Sequence, residues 1–371
     1  MTTAAPPATA NDYATELTAL CRRRIEYEGG ADPRSPTATT ELLTLRHREV
    51  MLAGGRPEEL LALGAAVDRA VLRFPTWPDL RLLRATLALA VHLPDVARAA
   101  LAAVPGLTEL PPGRVLAADL AQFTGDYRTA EAGYRTAARE EPLWDTTARL
   151  AALAVATGRF DEADDLYAAA EDEITVKQMR SFAWVRVQRG ELALALGDLD
   201  RAGQFFTDAD VAYGGWWYVT LHRAALATAR GRPAEAAARY RGVLAQVDRP
   251  EFREAHGSAL AAAGEADAAV DCHAAALAVY TRSVARGEVH YLHHLAVYYA
   301  DVHPHFATAL AWARQDAGLR RSGSTLSLLA WCLHRAGRTA EARATLDEAF
   351  ALGAGDPLLQ ARARAIRGSA S

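Results

Sequence analysis

The stretch GDYRTAEAGY, from Gly125 to Tyr134, decides the fold because it recurs along the chain. Each copy opens with a glycine, carries an alanine five residues later and usually has a large residue, most often aromatic, four positions further on. Clear copies open at Gly125, Gly158, Gly197, Gly231, Gly264 and Gly337, and weaker ones at Gly55, His92 and Pro304. Successive openings lie 33 to 40 residues apart, which indicates a chain built from nine similar units.

Physical chemistry assigns a role to each recurring residue. Glycine accepts the left-handed conformation that ends a helix in a tight turn. The alanine leaves room for two helices to cross closely, and the large residue one turn later fills the space beside it. The unit is therefore predicted to be a pair of antiparallel helices, which buries one face and gains stability by stacking on its neighbours.

This repeat resembles the tetratricopeptide repeat (TPR) family, in which a glycine separates two helices and an alanine and an aromatic residue follow on the second helix. The resemblance implies an all-α fold, a right-handed superhelical α-solenoid of about nine TPR-like helix pairs over residues 41–356. Residues 357–371 are expected to form a capping helix and tail. The long intervals after two of the glycines predict lengthened helices or loops near residues 171–181 and 276–289.

The N-terminal residues, 1–40, lack the repeat and are rich in proline, threonine and alanine. We expect a partly disordered lead with one helix over residues 12–28, followed by a loop that contains Gly29, Gly30 and Pro33. The helix is a candidate cap for the first repeat.

Composition narrows the class of protein and of partner. Hydrophobic residues make up 51% of the 371 positions, enough for a packed core. A net charge of −4, with Lys177 as the only lysine, argues against a nucleic-acid partner. The bias towards alanine and arginine is typical of a bacterium with a GC-rich genome. Three scattered cysteines, no apolar run long enough for a membrane span and no secretory leader predict a soluble, cytoplasmic protein.

The resemblance also implies that the first helices of the pairs line a concave groove. Counting from the opening glycines, the groove residues would be Trp184, Glu191, Tyr218, Glu251, Glu254, Tyr291, His294, Tyr298, Asp301, Trp331 and His334. Aromatic and acidic side chains on a concave wall suit a protein or peptide partner that carries apolar and basic groups. The same aromatic residues are also ordinary fillers of the space between helices. The fourth unit, with Asp145, Ala148, Ala152 and Val155, is poor in such residues by comparison.

A histidine cluster offers an alternative function. The segment HYLHHLAVYYADVHPH runs from His290 to His305, and His290 and His294 are four residues apart, a spacing that lets two imidazoles on a helix share a divalent metal ion. Asp301, or His334 on the next helix, would supply a third ligand. Against a metal-dependent enzyme, there is no HExxH motif, and His305 falls in the turn between two helices, too far from His290 to converge on one ion.

Other catalytic patterns are missing from the sequence. No GxSxG nucleophile motif and no phosphate-binding GK[ST] element occur. The residues therefore favour a scaffold or adaptor that holds a protein or peptide. Enzymatic activity and the oligomeric state stay open at this point.

Overall fold

The computed structural model describes residues 12–368, and within that range the chain forms helices and no strand. The helices are α1 (Tyr13–Gly30), α2 (Pro36–Leu52), α3 (Pro57–Arg73), α4 (Pro78–Ala90), α5 (Pro94–Ala102), α6 (Pro111–Phe123), α7 (Tyr127–Glu140), α8 (Trp144–Ala156), α9 (Phe160–Glu173), α10 (Met179–Ala195), α11 (Leu199–Ala212), α12 (Trp217–Ala229), α13 (Pro233–Gln246), α14 (Pro250–Ala262), α15 (Ala266–Ala285), α16 (Leu292–Val297), α17 (Phe306–Leu319), α18 (Gly323–Arg335), α19 (Thr339–Ala351) and α20 (Pro357–Gly368). A short 3-10 turn, Leu107–Glu109, precedes α6.

Nine antiparallel pairs, from α2–α3 to α18–α19, stack side by side, with α1 before them and α20 after them. The predicted superhelical α-solenoid is therefore confirmed. The first pair begins at Pro36, and Gly29 and Gly30 close helix α1 instead of lying in the predicted loop. The sequence predicted partial disorder over residues 1–40, but residues 12–40 form helix α1, a short connection and the start of α2. Residues 1–11 lie outside the described residues.

The turn inside each pair follows the physical argument made from the repeat. The opening glycines of seven copies have φ between 61° and 91°, the left-handed region. His92, at the opening of the second copy, has φ 63° and is the single non-glycine residue in 12–368 with a positive φ. Because proline cannot adopt this conformation, the copy that opens at Pro304 differs, and the helix before it ends in a π-helical turn, Tyr298–Val302.

The recurring alanines and large residues form the inner contacts of the solenoid. The alanines are 0% to 3% exposed: Ala97, Ala130, Ala163, Ala202, Ala236, Ala269, Ala309 and Ala342. Tyr134, Tyr167 and Phe206, one turn later in their copies, are at most 2% exposed. Helix α15 runs for 20 residues, which confirms the predicted lengthening after Gly264.

The solenoid closes on itself, because contacts join residues about six repeats apart. Tyr13 N donates to the carbonyl of Gly214 at 3.2 Å. Arg249 Nη1 donates to the carbonyl of Gly54 at 2.9 Å, across 195 residues. In the C-terminal half, Gly355 N donates to the carbonyl of Ala156 at 2.9 Å. One superhelical turn therefore takes about six repeats, and the second turn packs directly on the first along a line of contacts that we call the seam.

Candidate functional site

A central cavity of about 820 Å³ lies inside the first superhelical turn. Its walls come mainly from α6, α8, α10 and α12, the first helices of four successive pairs, as expected for a concave surface. Met51 and Leu52, at the end of α2, cover one side, because the seam brings this helix against α12. The cavity has the size and concave form of an ordinary ligand pocket.

Aromatic side chains form much of the cavity wall. The rings of Trp144 and Trp184 meet edge to face with centroids 6.2 Å apart. The ring of Tyr218 lies 5.0 Å from that of Trp216 and 5.6 Å from that of Trp217. These contacts hold large, rigid aromatic surfaces around an open space. Aromatic residues of this kind supply much of the binding energy in protein interfaces.

The polar part of the wall centres on a shared guanidinium. Arg149 Nε donates to Asp119 Oδ1 and Nη1 donates to Asp145 Oδ2, both at 3.0 Å. Burial alone would lower the pKa of Arg149, but the two carboxylates outweigh it and raise the pKa. Tyr134 OH also donates to Asp119, at 2.7 Å. One positive charge is therefore divided between two acids.

A second cation of the wall, Arg180, is paired with an acid from α1. Its Nη1 lies 3.3 Å from Glu16 Oε1, and Glu16 Oε2 also accepts a hydrogen bond from Tyr213 OH at 2.7 Å. The seam thus supplies a counter-charge to this guanidinium.

A partly exposed acid, Glu191, lies behind Tyr218. Gln188 Nε2 donates to Glu191 Oε2 at 3.1 Å and to Tyr218 OH at 3.0 Å. His222 Nδ1 lies 3.3 Å from Glu191 Oε1. Burial raises the pKa of Glu191 to about 7 and lowers the pKa of His222 to about 4, so this histidine is neutral at physiological pH.

The sequence-predicted groove residues are divided between several places. Trp184 and Tyr218 line the central cavity, and Glu191 lies directly behind it. Tyr291 lines a second cavity of about 380 Å³ at the seam, next to Arg56 and Arg249.

The remaining predicted groove residues do not line the central cavity. Glu251 is paired with Arg249. Glu254 accepts a hydrogen bond from Tyr280 OH at 2.9 Å, and burial raises its pKa to about 7. Tyr298 is 4% exposed, with its ring 6.4 Å from that of His273.

The predicted groove residues of the last two pairs form a separate group. Asp301 Oδ1 accepts hydrogen bonds from Trp331 Nε1 at 3.0 Å and from Arg335 Nη1 at 3.1 Å. The ring of His334 lies 5.7 Å from that of Trp331. The carboxylate of Asp301 is thus occupied by two donors from α18.

The helical geometry predicted for the metal ligands is wrong. Helix α16 begins at Leu292, so His290 lies in the turn before it and does not share a helix face with His294. His290 Nε2 is 3.1 Å from Ser283 Oγ, whereas His294 stacks on Tyr280 with ring centroids 5.6 Å apart. Among residues 12–368, no three His, Cys, Asp or Glu side chains are placed to hold a metal ion. The structure gives no support to the metal-dependent alternative.

Asp316, on α17, is a buried acid whose charge is balanced by two neighbouring side chains. Asp316 is 2% exposed, with Oδ2 3.1 Å from His293 Nδ1 and Oδ1 3.4 Å from Arg320 Nε. The Arg320 guanidinium lies 4.5 Å from the ring centroid of Phe123, a cavity residue of the preceding superhelical turn. Burial would raise the pKa of Asp316, but His293 and Arg320 outweigh it and lower the pKa. This charged group therefore helps to join the two turns.

Sequence reasoning missed several cavity residues, namely Asp119, Phe123, Trp144, Arg149, Trp216 and Trp217. Asp145, Ala148 and Ala152 were at predicted groove positions, but their unit looked poor in binding residues. Trp144 immediately precedes Asp145 and is the first residue of α8, the first helix of its pair. This position could have indicated from the sequence that Trp144 lies at the groove.

The fold defines a class of protein, a helical solenoid whose second superhelical turn packs on the first and whose first turn holds a concave cavity. Comparison with solved structures finds the same kind of fold in TPR-like helical repeat proteins. The human IFIT1 dimer with m7Gppp-AAAA superposes with a TM-score of 0.54 at 14% identity, covering 92% of this chain and 78% of that one. The APC/C hetero-tetramer Cut9-Hcn1 superposes with a TM-score of 0.53 at 12% sequence identity, and the match covers 86% of this chain and 62% of that one. A tetratricopeptide repeat protein from Parabacteroides merdae gives a TM-score of 0.49 at 14% sequence identity, and the match covers 67% of this chain and 92% of that one.

At these identities the likeness concerns the fold alone. No family model matches the chain, and no curated protein matches it in sequence. None of the helices within residues 12–368 combines the length and apolar composition that crossing a bilayer requires.

Proposed function

We propose that this chain is a scaffold that holds a peptide segment of a partner protein in the central cavity. The observation that carries the proposal is the cavity itself, about 820 Å³ in volume and walled by Trp144, Trp184 and Tyr218. Rigid aromatic anchors in a concave site lose little conformational entropy on binding and bury a large apolar area. A segment of a few residues would fill this volume.

The charges around the cavity argue for a protein partner over a nucleic acid. The lining cations, Arg149 and Arg180, are each paired with carboxylates, and the whole chain carries a net charge of −4. Phosphate recognition needs guanidinium or ammonium groups that are free to contact the ligand. The IFIT1 likeness, which shows only the fold, does not alter this reading.

A cytoplasmic, bacterial setting is part of the proposal. Cys21, Cys272 and Cys332 are all free thiols, as is usual in a reducing compartment.

The experiment is site-specific photocrosslinking in cells. A photoreactive benzoylphenylalanine replaces Met51, which lines the cavity and is 46% exposed, or Val211, which is 83% exposed, as the control. We expect a discrete crosslinked partner from position 51 that is absent from position 211. Adding Ala152→Trp, which fills the cavity, should abolish that crosslink, whereas the matched change Ala262→Trp on an exposed surface should not. A crosslink that survives Ala152→Trp would contradict the proposal.

A further inference from the structure

The groups around the central cavity contain more acids than bases. Asp119 and Asp145 line it and share Arg149. Arg180 also lines it and is balanced by Glu16 from α1. The carboxylate of Asp145 is 42% exposed, so it stays open to a further donor.

Glu191 adds a carboxyl group that has no guanidinium partner within residues 12–368. Its side chain contacts Gln188 and His222, and His222 is neutral at physiological pH. Gln188 links Glu191 to Tyr218 OH, so this acid lies one residue behind the cavity wall. An acid of this kind gains stability when a cation enters the neighbouring space.

The aromatic wall is equally suited to a cation. Trp144 directly precedes Asp145, and its ring meets that of Trp184 edge to face, with centroids 6.2 Å apart, on the wall of the same cavity. Indole faces attract guanidinium and ammonium groups, with an energy that increases as water is excluded. A cation in this space would therefore meet indole rings and a carboxylate together.

One polar atom of the wall lacks a partner. Trp216 lines the cavity and is 8% exposed, and its Nε1 has no acceptor among the described residues. Its neighbour Trp217, by contrast, donates from Nε1 to the carbonyl of Leu52 at 3.1 Å. A buried indole N–H without an acceptor is costly, so Trp216 is a weak point in the packing of this wall.

We infer that the partner segment places an arginine or lysine side chain in the central cavity, against Asp145 and beside the contacting indole rings of Trp144 and Trp184. This inference rests on the proposed function and names the chemistry that the cavity selects. An acidic segment would meet Asp119 and Asp145 with like charge, and a wholly apolar one would leave Asp145 desolvated.

A random dodecapeptide phage library, selected on the immobilised full-length protein, tests the inference. Peptides that bind the natural protein but not the Ala152→Trp variant are those that need the open cavity. We expect these peptides to be enriched several-fold in arginine or lysine over the input library. A synthetic peptide from the enriched set should bind Asp145→Asn on the order of tenfold more weakly. Binding to Asp200→Asn, which changes a fully exposed acid, should be unaltered.

The outcomes separate the two proposals. Cavity-dependent peptides without basic enrichment, or with acidic enrichment, would overturn the inference and leave the proposed function intact. If no selected peptide depends on an open cavity, both proposals are overturned. Matching thermal unfolding of Asp145→Asn and Asp200→Asn establishes that a loss of binding is not a loss of fold, and Glu191→Gln provides a second variant with the same expected direction.

Discussion

The main-chain N–H of Gly323 donates a hydrogen bond to the hydroxyl of Tyr127 at 2.8 Å, across 196 residues of sequence. Gly323 is the first residue of α18, and Tyr127 is the first residue of α7. Both residues are buried. The hydrogen bond joins the starts of two helices that lie one superhelical turn apart. It shows how the seam is built, from side chains and main-chain groups at the ends of helices.

Loss of this hydroxyl should loosen the seam. Tyr127→Phe leaves the buried N–H of Gly323 without an acceptor, which we expect to cost about 1–3 kcal/mol of unfolding free energy. Chemical denaturation measures the loss. Tyr299→Phe, at a half-buried tyrosine in the π-helical turn, is the control and should change stability by much less. Equal unfolding midpoints for the two variants would show that the seam bond is not stabilising.

Alanine substitutions at two opening glycines, Gly197 and Gly125, distinguish the cost of strain in the turn from the cost of overpacking the seam. Gly197 has φ 87° with nothing within 4 Å of an added Cβ, so Gly197→Ala should cost about 1–2 kcal/mol from the left-handed conformation alone. Gly125 has φ 91°, and a Cβ there would lie 2.3 Å from the carbonyl oxygen of Arg321 across the seam. We expect Gly125→Ala to cost a further 1–3 kcal/mol, roughly, for overpacking. The denaturation midpoint should be highest for the natural protein, lower for Gly197→Ala and lowest for Gly125→Ala. A lower midpoint for Gly197→Ala than for Gly125→Ala would exclude the described seam.

Two tryptophans from the same sequence prediction should behave differently in binding. Trp184→Ala removes part of the cavity wall, and we expect it to weaken a cavity-binding peptide by about 2 kcal/mol or more. Trp331→Ala, whose indole bonds to Asp301 and does not line that cavity, should leave the affinity near its natural value. Isothermal titration with a selected peptide measures both. Equal losses would indicate a binding surface that extends along the entire solenoid.

Stability should depend on pH through Glu191. Its folded-state pKa of about 7 lies above the unfolded value, so the native state holds the proton more tightly. Its contribution is fully present below about pH 4.5 and is lost as pH rises through 7. Because 43% of the side chain is exposed, we expect Glu191→Gln to change stability by only about 1 kcal/mol at pH 8.

Thermal unfolding of the natural protein and Glu191→Gln at pH 5 and pH 8 tests this dependence. The neighbouring groups, His222, Tyr218 and Tyr167, are uncharged over that interval, because burial lowers the pKa of the histidine and raises those of the tyrosines. The variant should gain relative stability at pH 8 only. A constant difference at both values would mean that Glu191 does not titrate in this range.

Elemental analysis of untagged protein should find no stoichiometric transition metal, because the predicted ligands His290, His294 and Asp301 have separate partners. His290→Ala should instead lower thermal stability, since it removes a buried contact with Ser283. A stoichiometric metal that is lost in His290→Ala would restore the metal hypothesis.

Much of the fold could be predicted because the repeat acts over short distances. The interval between Gly125 and Gly158 predicts one helix pair, and burial of Ala130 and Tyr134 follows from contacts within that pair. The family pattern also predicted Trp184 and Tyr218 as groove residues, and both line the central cavity, since their positions depend only on the local repeat. Local patterns could not reveal that Trp216 and Trp217 would join them, because Trp217 is held by Leu52 from α2.

The sequence by itself determined the helix pairs, their turns and the packing of each pair on the next. Tertiary structure decided that about six pairs complete a superhelical turn, which brings Leu52 to Trp217, Tyr127 to Gly323 and Glu16 to Arg180. The physical reason is that a solenoid's curvature is the sum of small rotations between neighbouring repeats. Each rotation depends on the detailed shapes of packed side chains, so the closure, and the cavity that it encloses, emerge only when all the repeats are in place.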